Sequence, residues 1–166
     1  MSGRPKGTSL DASSPSVEAT DAVEIDERGR FSIPSWIAES VPWISSARAA
    51  DVRCFSLMKL ENQGVIRFLS WEEHSGLILA RRRELVDRND RHGVRLLEQR
   101  YQRLLIPKDL RPVVGDAGRA HLELAPTSTQ FVYLVYENLE ISLINGRVLA
   151  SQLAIADIEG VFENLP

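Results

Sequence analysis

A short motif occurs twice in this chain, and a unit as small as the one it marks cannot fold by itself. Arg30-Phe31-Ser32-Ile33-Pro34 falls on Arg103-Leu104-Leu105-Ile106-Pro107 at an offset of 73 positions, and Ile37 and Val41 then fall on Leu110 and Val114. Further on, Glu61-Asn62 and the apolar residues after Gly64 resemble Glu137-Asn138 and Leu139-Glu140-Ile141, with a few residues' difference in length. Each half reads strand, polar turn, Arg, strand, Pro-led helix, strand, turn, strand. One such half exposes too much apolar surface to be stable. Two halves closing on each other hide both faces and pair the strand edges, as barrels do. The repeat predicts an α+β chain, mainly β with short helices, folded about a pseudo-two-fold axis.

The local patterns agree. Val23, Ile25, Phe31 and Ile33 alternate on either side of Asp26-Glu27-Arg28-Gly29-Arg30, which predicts two short strands joined by a polar turn in which Gly29 can take a positive φ. Pro34 suits the first turn of a helix carried by residues 35–41 and stopped by Pro42. Val52–Leu60 and Val65–Leu69 predict a hairpin. Trp71, Ile78, Leu85 and Val86 follow helical spacing to about Asp90, with Ser70 and Glu73 as a capping box at the start. Val94 and Leu96, then Leu104 and Ile106, read as strand. A short helix is expected over 107–115, strands over 121–124, 131–136 and 139–143, and a terminal helix after 148.

The domain reading follows. Residues 1–20, rich in Ser, Pro and Gly, form a disordered tail. Residues 21–166 form one double domain: a first repeat over 22–70, a helical linker over 71–93, a second repeat over 94–150 and a C-terminal helix over 151–165.

Asp26-Glu27-Arg28-Gly29-Arg30-Phe31-Ser32-Ile33-Pro34 resembles the D-x-x-G-R-x-x-I-P signature of the AbrB-type swapped-hairpin barrels. The second copy, Gln99 to Pro107, keeps the Arg and the Ile-Pro but lacks the Asp and the Gly. Two such units flanking a helical stretch are similar to the MraZ family in particular, over roughly residues 22 to 150. The resemblance implies a pseudo-symmetric swapped-hairpin β-barrel, a homo-oligomer, and a transcriptional regulator that meets double-stranded DNA through its hairpin turns, in the cytoplasm and on the nucleoid. The residues it marks for DNA contact are Asp26, Arg28, Gly29, Arg30, Arg100 and Arg103.

The chemistry of those residue types suits the task. Asp26 and Arg30 lie four apart across the turn, where a carboxylate can orient a guanidinium toward phosphate or guanine. Arg28 adds a backbone donor, and a two-stranded ribbon fits the major groove. The competing reading makes Asp26 and Arg30 a structural clasp. A second basic surface runs from Arg81 to Arg103, with eight Arg against four acids in a chain whose net charge is −3. Such local charge can hold phosphate although the whole is acidic; it can equally be a solvated helix face laced with ion pairs. An adaptor or antitoxin-like protein-interaction module on the same scaffold is the alternative function, with the acidic C-terminal third as its docking surface.

Other classes find no support. The single Cys54 cannot form an internal disulfide. No signal-like segment and no run of about eighteen apolar residues is present, so no membrane partner is expected. His74, His92 and His121 are far apart, so neither metal nor cofactor is expected. Gly115-Asp116-Ala117-Gly118-Arg119 lacks the Lys-Ser/Thr ending of a phosphate loop. Without a nucleophile elbow or paired carboxylates, an enzyme is not expected.

Overall fold

A computed structural model describes residues 19–125 and 128–163. The expected tail falls outside the described residues, except that Ala19 and Thr20 open the first strand. The elements are β1 Ala19–Ile25, α1 Ser35–Ser40, α2 Pro42–Ala49, β2 Cys54–Leu60, β3 Val65–Ser70, α3 Trp71–Asp87, α4 Arg91–Arg100, β4 Tyr101–Ile106, α5 Gly115–His121, β5 Gln130–Glu137, β6 Glu140–Ile144 and α6 Gly146–Glu163. The class is mixed α and β, as expected, but the helices are not all short: α3 has 17 residues and α6 has 18.

The six strands form one antiparallel sheet in the order β1-β5-β6-β3-β2-β4. Exchanging β1 with β4, β2 with β5 and β3 with β6 turns this order into its own reverse. The connectivity is therefore two-fold about the β3–β6 pair. Each half sends its first strand to the other: among the described residues β1 pairs with β5 alone, and β4 with β2 alone. The sheet is open, with β1 and β4 at its edges. It does not close on itself as the expected barrel would.

One face of the sheet carries the core. Ile25, Phe31, Ile37, Ile66, Phe68, Val132, Leu134, Ile141 and Leu143 are all at most 2% exposed. Strand β5 shows the period-two logic: Val132, Leu134 and Tyr136 are buried, whereas Phe131 between them and the turn is 63% exposed. Phe31 reaches Phe68 with ring centroids 5.7 Å apart, tying the segment after the first turn to the centre of the sheet.

Three expectations need correction. Val94 and Leu96 are helical, because the Asp90 carboxylate accepts the Gly93 N–H at 2.8 Å and starts α4. Residues 107–114 are a turn followed by extended chain, and the helix begins only at Gly115. His121 to Leu124 are the end of α5 and the turn behind it, with Glu123 at a φ of 59°. The serine half of the expected capping box is present: Ser70 Oγ accepts the Glu73 N–H at 3.4 Å at the head of α3.

The fourth correction concerns the repeat itself. Strand β4, which contains Arg103 to Ile106, occupies the place of β1 and not the place of Arg30 to Ile33. The equivalence made by the backbone has an offset of 81 positions, from Asp26 to Pro107. Gly29 N–H bonds Asp26 O at 3.0 Å with Gly29 at a φ of 85°; Leu110 N–H bonds Pro107 O at 2.9 Å with Leu110 at a φ of 61°. Helix α1 then corresponds to α5.

Candidate nucleic-acid interface

The site is built from two turns and the ribbon between them. In the first turn the Asp26 carboxylate accepts the N–H groups of Arg28 at 2.9 Å and Arg30 at 2.8 Å. Aspartate does this readily because its short side chain folds back on the following backbone. The hydrogen bond from Arg30 holds the Asp26 carboxyl below the usual carboxylate range; burial opposes it, and the hydrogen bond from Arg28 adds to it. The Arg30 Nε lies 3.8 Å from Asp26 Oδ2, with both side chains 37% exposed. Asp26 thus organises the backbone of the turn more tightly than it holds the guanidinium. Arg28 is exposed.

Gly29 is required here. Its backbone has a φ of 85°, and a Cβ at this position would stand 2.7 Å from the Gly115 nitrogen. The chain passes through this gap so that Gly29 O can accept the Val114 N–H at 2.8 Å.

From there the two halves pair. Ile33 N–H bonds Leu110 O at 2.8 Å, and Phe31 N–H bonds Pro112 O at 3.2 Å, around the antiparallel bridge Arg30–Val113. The bonds at the two ends, Val114 to Gly29 and Ile33 to Leu110, are symmetry mates at the 81-position offset. Phe31, Ile33, Leu110, Pro112 and Val114 turn inward and are buried. By alternation the other face carries Arg30, Ser32, Arg111 and Val113. Arg30 and Arg111 are the paired positions of the pseudo-two-fold, on opposite strands and diagonal neighbours, with side-chain roots about 7–8 Å apart.

The second turn, Pro107-Lys108-Asp109-Leu110, repeats the first with different residues. Asp109 Oδ1 accepts the Arg111 N–H at 3.1 Å, and Lys108 is exposed. A buried arginine locks the first turn from behind. Arg119 of α5 is 3% exposed and donates to Asp26 O, to Ala125 O and, at 2.9 Å, to Ser128 O.

The residues expected from the sequence divide accordingly. Asp26, Arg28, Gly29 and Arg30 sit together in the first turn. Arg100 ends α4, and Arg103 lies within β4, its guanidinium carbon 3.8 Å from the centre of the Phe55 ring and 5.2 Å from that of Trp71. Neither occupies a turn. Arg111 holds the place of Arg30, and Lys108 lies in the second turn at the place of Glu27, with Asp109 at that of Arg28; sequence reasoning missed both basic residues. The available signal was Ile25 to Arg30 against Ile106 to Arg111, which share only the Ile and the Arg. On the helices, Arg81 pairs with Glu84 at 3.0 Å and Arg82 with Glu98 at 3.3 Å; Arg83, Arg88, Arg91 and Arg95 are exposed.

No protein-family model matches the chain, and no curated protein matches it. Among the described residues no helix is long and apolar enough to cross a membrane.

Proposed function

We propose that the chain is a DNA-binding transcriptional regulator that meets double-stranded DNA with the outer face of the 29–33/110–114 ribbon and its two turns. The observation that carries this reading is the pair Arg30 and Arg111, placed by the pseudo-two-fold on one exposed face, with Arg28 and Lys108 at the flanking turns. A ribbon of this width fits the major groove, and two arginines on it can each grip guanine or phosphate. The exchange of first strands between halves is the feature expected of a swapped-hairpin barrel, which the paired ribbon would extend beyond the open sheet. Arg100 and Arg103 then have no direct part in the contact, whereas Arg111 and Lys108 do. Activity as a homo-oligomer belongs to the same reading.

The test is affinity for duplex DNA, over a range of salt, on the full chain and on three variants. Arg30→Ala and Arg111→Ala should each lose about 1–3 kcal/mol on the preferred sequence, the usual cost of a bidentate base contact. Arg28→Ala should weaken all sequences equally and lower the salt slope by about one phosphate's worth. An Arg30→Ala protein that melts normally and binds at full strength rules the reading out.

The second reading, a protein-interaction module, has one observation in its favour. Helices α3 and α4 leave large apolar side chains in solvent: Leu77 is 75% exposed, and Val86 and Leu96 are each 51% exposed. Exposed apolar groups of this kind, gathered on one helical pair, suit a protein partner.

A further inference from the structure

Among the described residues helix α2 has no counterpart in the second half of the chain, where α5 is followed by β5. This added helix creates something the pseudo-symmetric frame lacks. Together with the start of β2 and the end of β4 it encloses a cavity of about 350 Å³. The floor is Ile44, Cys54 and Ile106, at 0%, 6% and 4% exposure, and the walls include Val52 and Leu105, which remain 56% and 44% exposed. Burial pushes the Cys54 thiol up to about 11, so the floor carries no charge at neutral pH.

The rim is basic. Arg48, Arg53 and Lys108 stand around it with Asp51 as the lone acid. Arg48 Nη1 donates to Lys108 O at 2.9 Å, and the Lys108 ammonium pairs with Asp51. Arg53 is exposed, lines the cavity and has no hydrogen-bond or ion-pair partner among the described residues.

We propose that this cavity binds a small amphipathic carboxylate, with its apolar body on Ile44, Cys54 and Ile106 and its carboxylate on Arg53 and Arg48. An apolar floor beneath a cationic rim selects a ligand with one anionic end. A neutral hydrocarbon leaves the guanidinium unmatched, and a polyanion such as a nucleotide would place polar groups on a floor that offers none. A guanidinium takes a carboxylate in a planar two-bond fork, which gives Arg53 the main part. At roughly 30 Å³ per non-hydrogen atom, the share of a water in the liquid, the cavity holds about twelve of them. The site stands apart from the DNA-facing ribbon and turns except at Pro107 and Lys108, which belong to both, so Arg53 is the residue to test.

Titration calorimetry of the full chain, without DNA, decides the matter and does not depend on the DNA reading. Octanoate is the probe, with octan-1-ol and octylammonium as controls of equal length. Octanoate should bind saturably, octan-1-ol at least about tenfold more weakly, since one charge-assisted bond is worth that much, and octylammonium not at all. Arg53→Glu should reduce octanoate affinity about tenfold or more without changing the melting point, because Arg53 makes no contact that the fold uses. Leu105→Trp, which fills the mouth from an exposed wall position, should reduce it as well. No saturable octanoate heat up to about 10 mM, equal binding of octanol, or full affinity in a folded Arg53→Glu protein would each overturn the proposal.

Discussion

At the scale of single residues, the first turn shows how local chemistry sets a shape that distant residues then depend on. Gly29→Ala combines a left-handed backbone with a Cβ that would stand 2.7 Å from the Gly115 nitrogen, so it should cost about 3 kcal/mol in urea unfolding. A change below about 1 kcal/mol would show that the Gly29–Gly115 approach can relax freely. Asp26 contributes in a pH-dependent way. Its folded carboxyl titrates below the ordinary value of 3.8, mainly through the hydrogen bond from Arg30. A depressed folded pKa means stability that is fully present above the unfolded value and is lost as pH falls through the folded one. The stability gap between the wild-type protein and Asp26→Asn should therefore be constant from neutral pH to about 5 and shrink below about 4. A gap that does not change down to pH 2 would remove the carboxylate charge from the account. This turn was legible in the sequence because Asp26 folds its carboxylate back on the following N–H groups and Gly29, lacking a Cβ, takes the positive φ. The second turn was not, because Pro107 stands for Asp26 and Leu110 for Gly29. There tertiary pairing with Gly29 to Ile33 imposes a positive φ on a leucine, and no local rule announces it. The Ile106-Pro107 pair at the end of β4 then imitates the Ile33-Pro34 pair eight residues out of structural register.

At the scale of elements, strands were read well in the two sheet hairpins and poorly where a cap or a distant partner decided: Phe31 and Ile33, expected to form a strand beside Val23 and Ile25, pair with residues 110–112 instead and form no strand of the sheet. The hairpin of β2 and β3 and that of β5 and β6 stand close to their expected bounds, because Val132, Leu134 and Tyr136 alternate and Ile66 and Phe68 do too. Helix α4 was missed because Val94 and Leu96, two positions apart, also fit a strand, although its apolar and polar residues separate at helical spacing and Asp90 caps its start. The β5–β6 connection offers a direct test of turn chemistry. Glu137 pairs with Glu140, leaving a two-residue loop, Asn138-Leu139, at φ values of 52° and 64°. Two positive φ values in a two-residue loop define the turn that favours Asn-Gly. Leu139 is a leucine in that strained place and is 50% exposed, so its side chain returns little packing. Leu139→Gly should raise stability by about 0.5–1 kcal/mol, the relief of the left-handed strain less the greater freedom of glycine in the unfolded chain. Thermal melting of the two proteins checks this, and a lower midpoint for the variant would mean that Leu139 packs on a surface more strongly than its exposure indicates.

At the scale of the whole molecule, the two halves are interleaved and not merely adjacent. Among the described residues strand β1 has its one strand partner, β5, in the other half, and β4 has its one partner, β2, across the same divide. The half-buried Arg67 of β3 bridges the halves by pairing with Glu61 in its own half and Glu140 in the other. Burial works against the charge on Glu61, yet hydrogen bonds from Lys59 and Arg67 hold its carboxyl below the ordinary range. A cut between Arg100 and Tyr101 leaves each fragment with one unpaired first strand and half of the β3–β6 seam exposed. Residues 19–100 alone therefore lose the partner of β1, the ribbon strand opposite Phe31 and Ile33, and the far side of the core that Val132, Leu134, Ile141 and Leu143 supply. A fragment of this size has little core to spare. It should be unfolded as a monomer, or should dimerise and use a second copy of itself in place of the missing half, as the symmetric strand order permits. Mixing it with residues 101–166 should restore a one-to-one complex with the cooperative unfolding of the intact chain. Circular dichroism with sedimentation on each fragment and on the mixture reads this out. A cooperatively folded, monomeric 19–100 fragment would contradict an architecture in which each half completes the other.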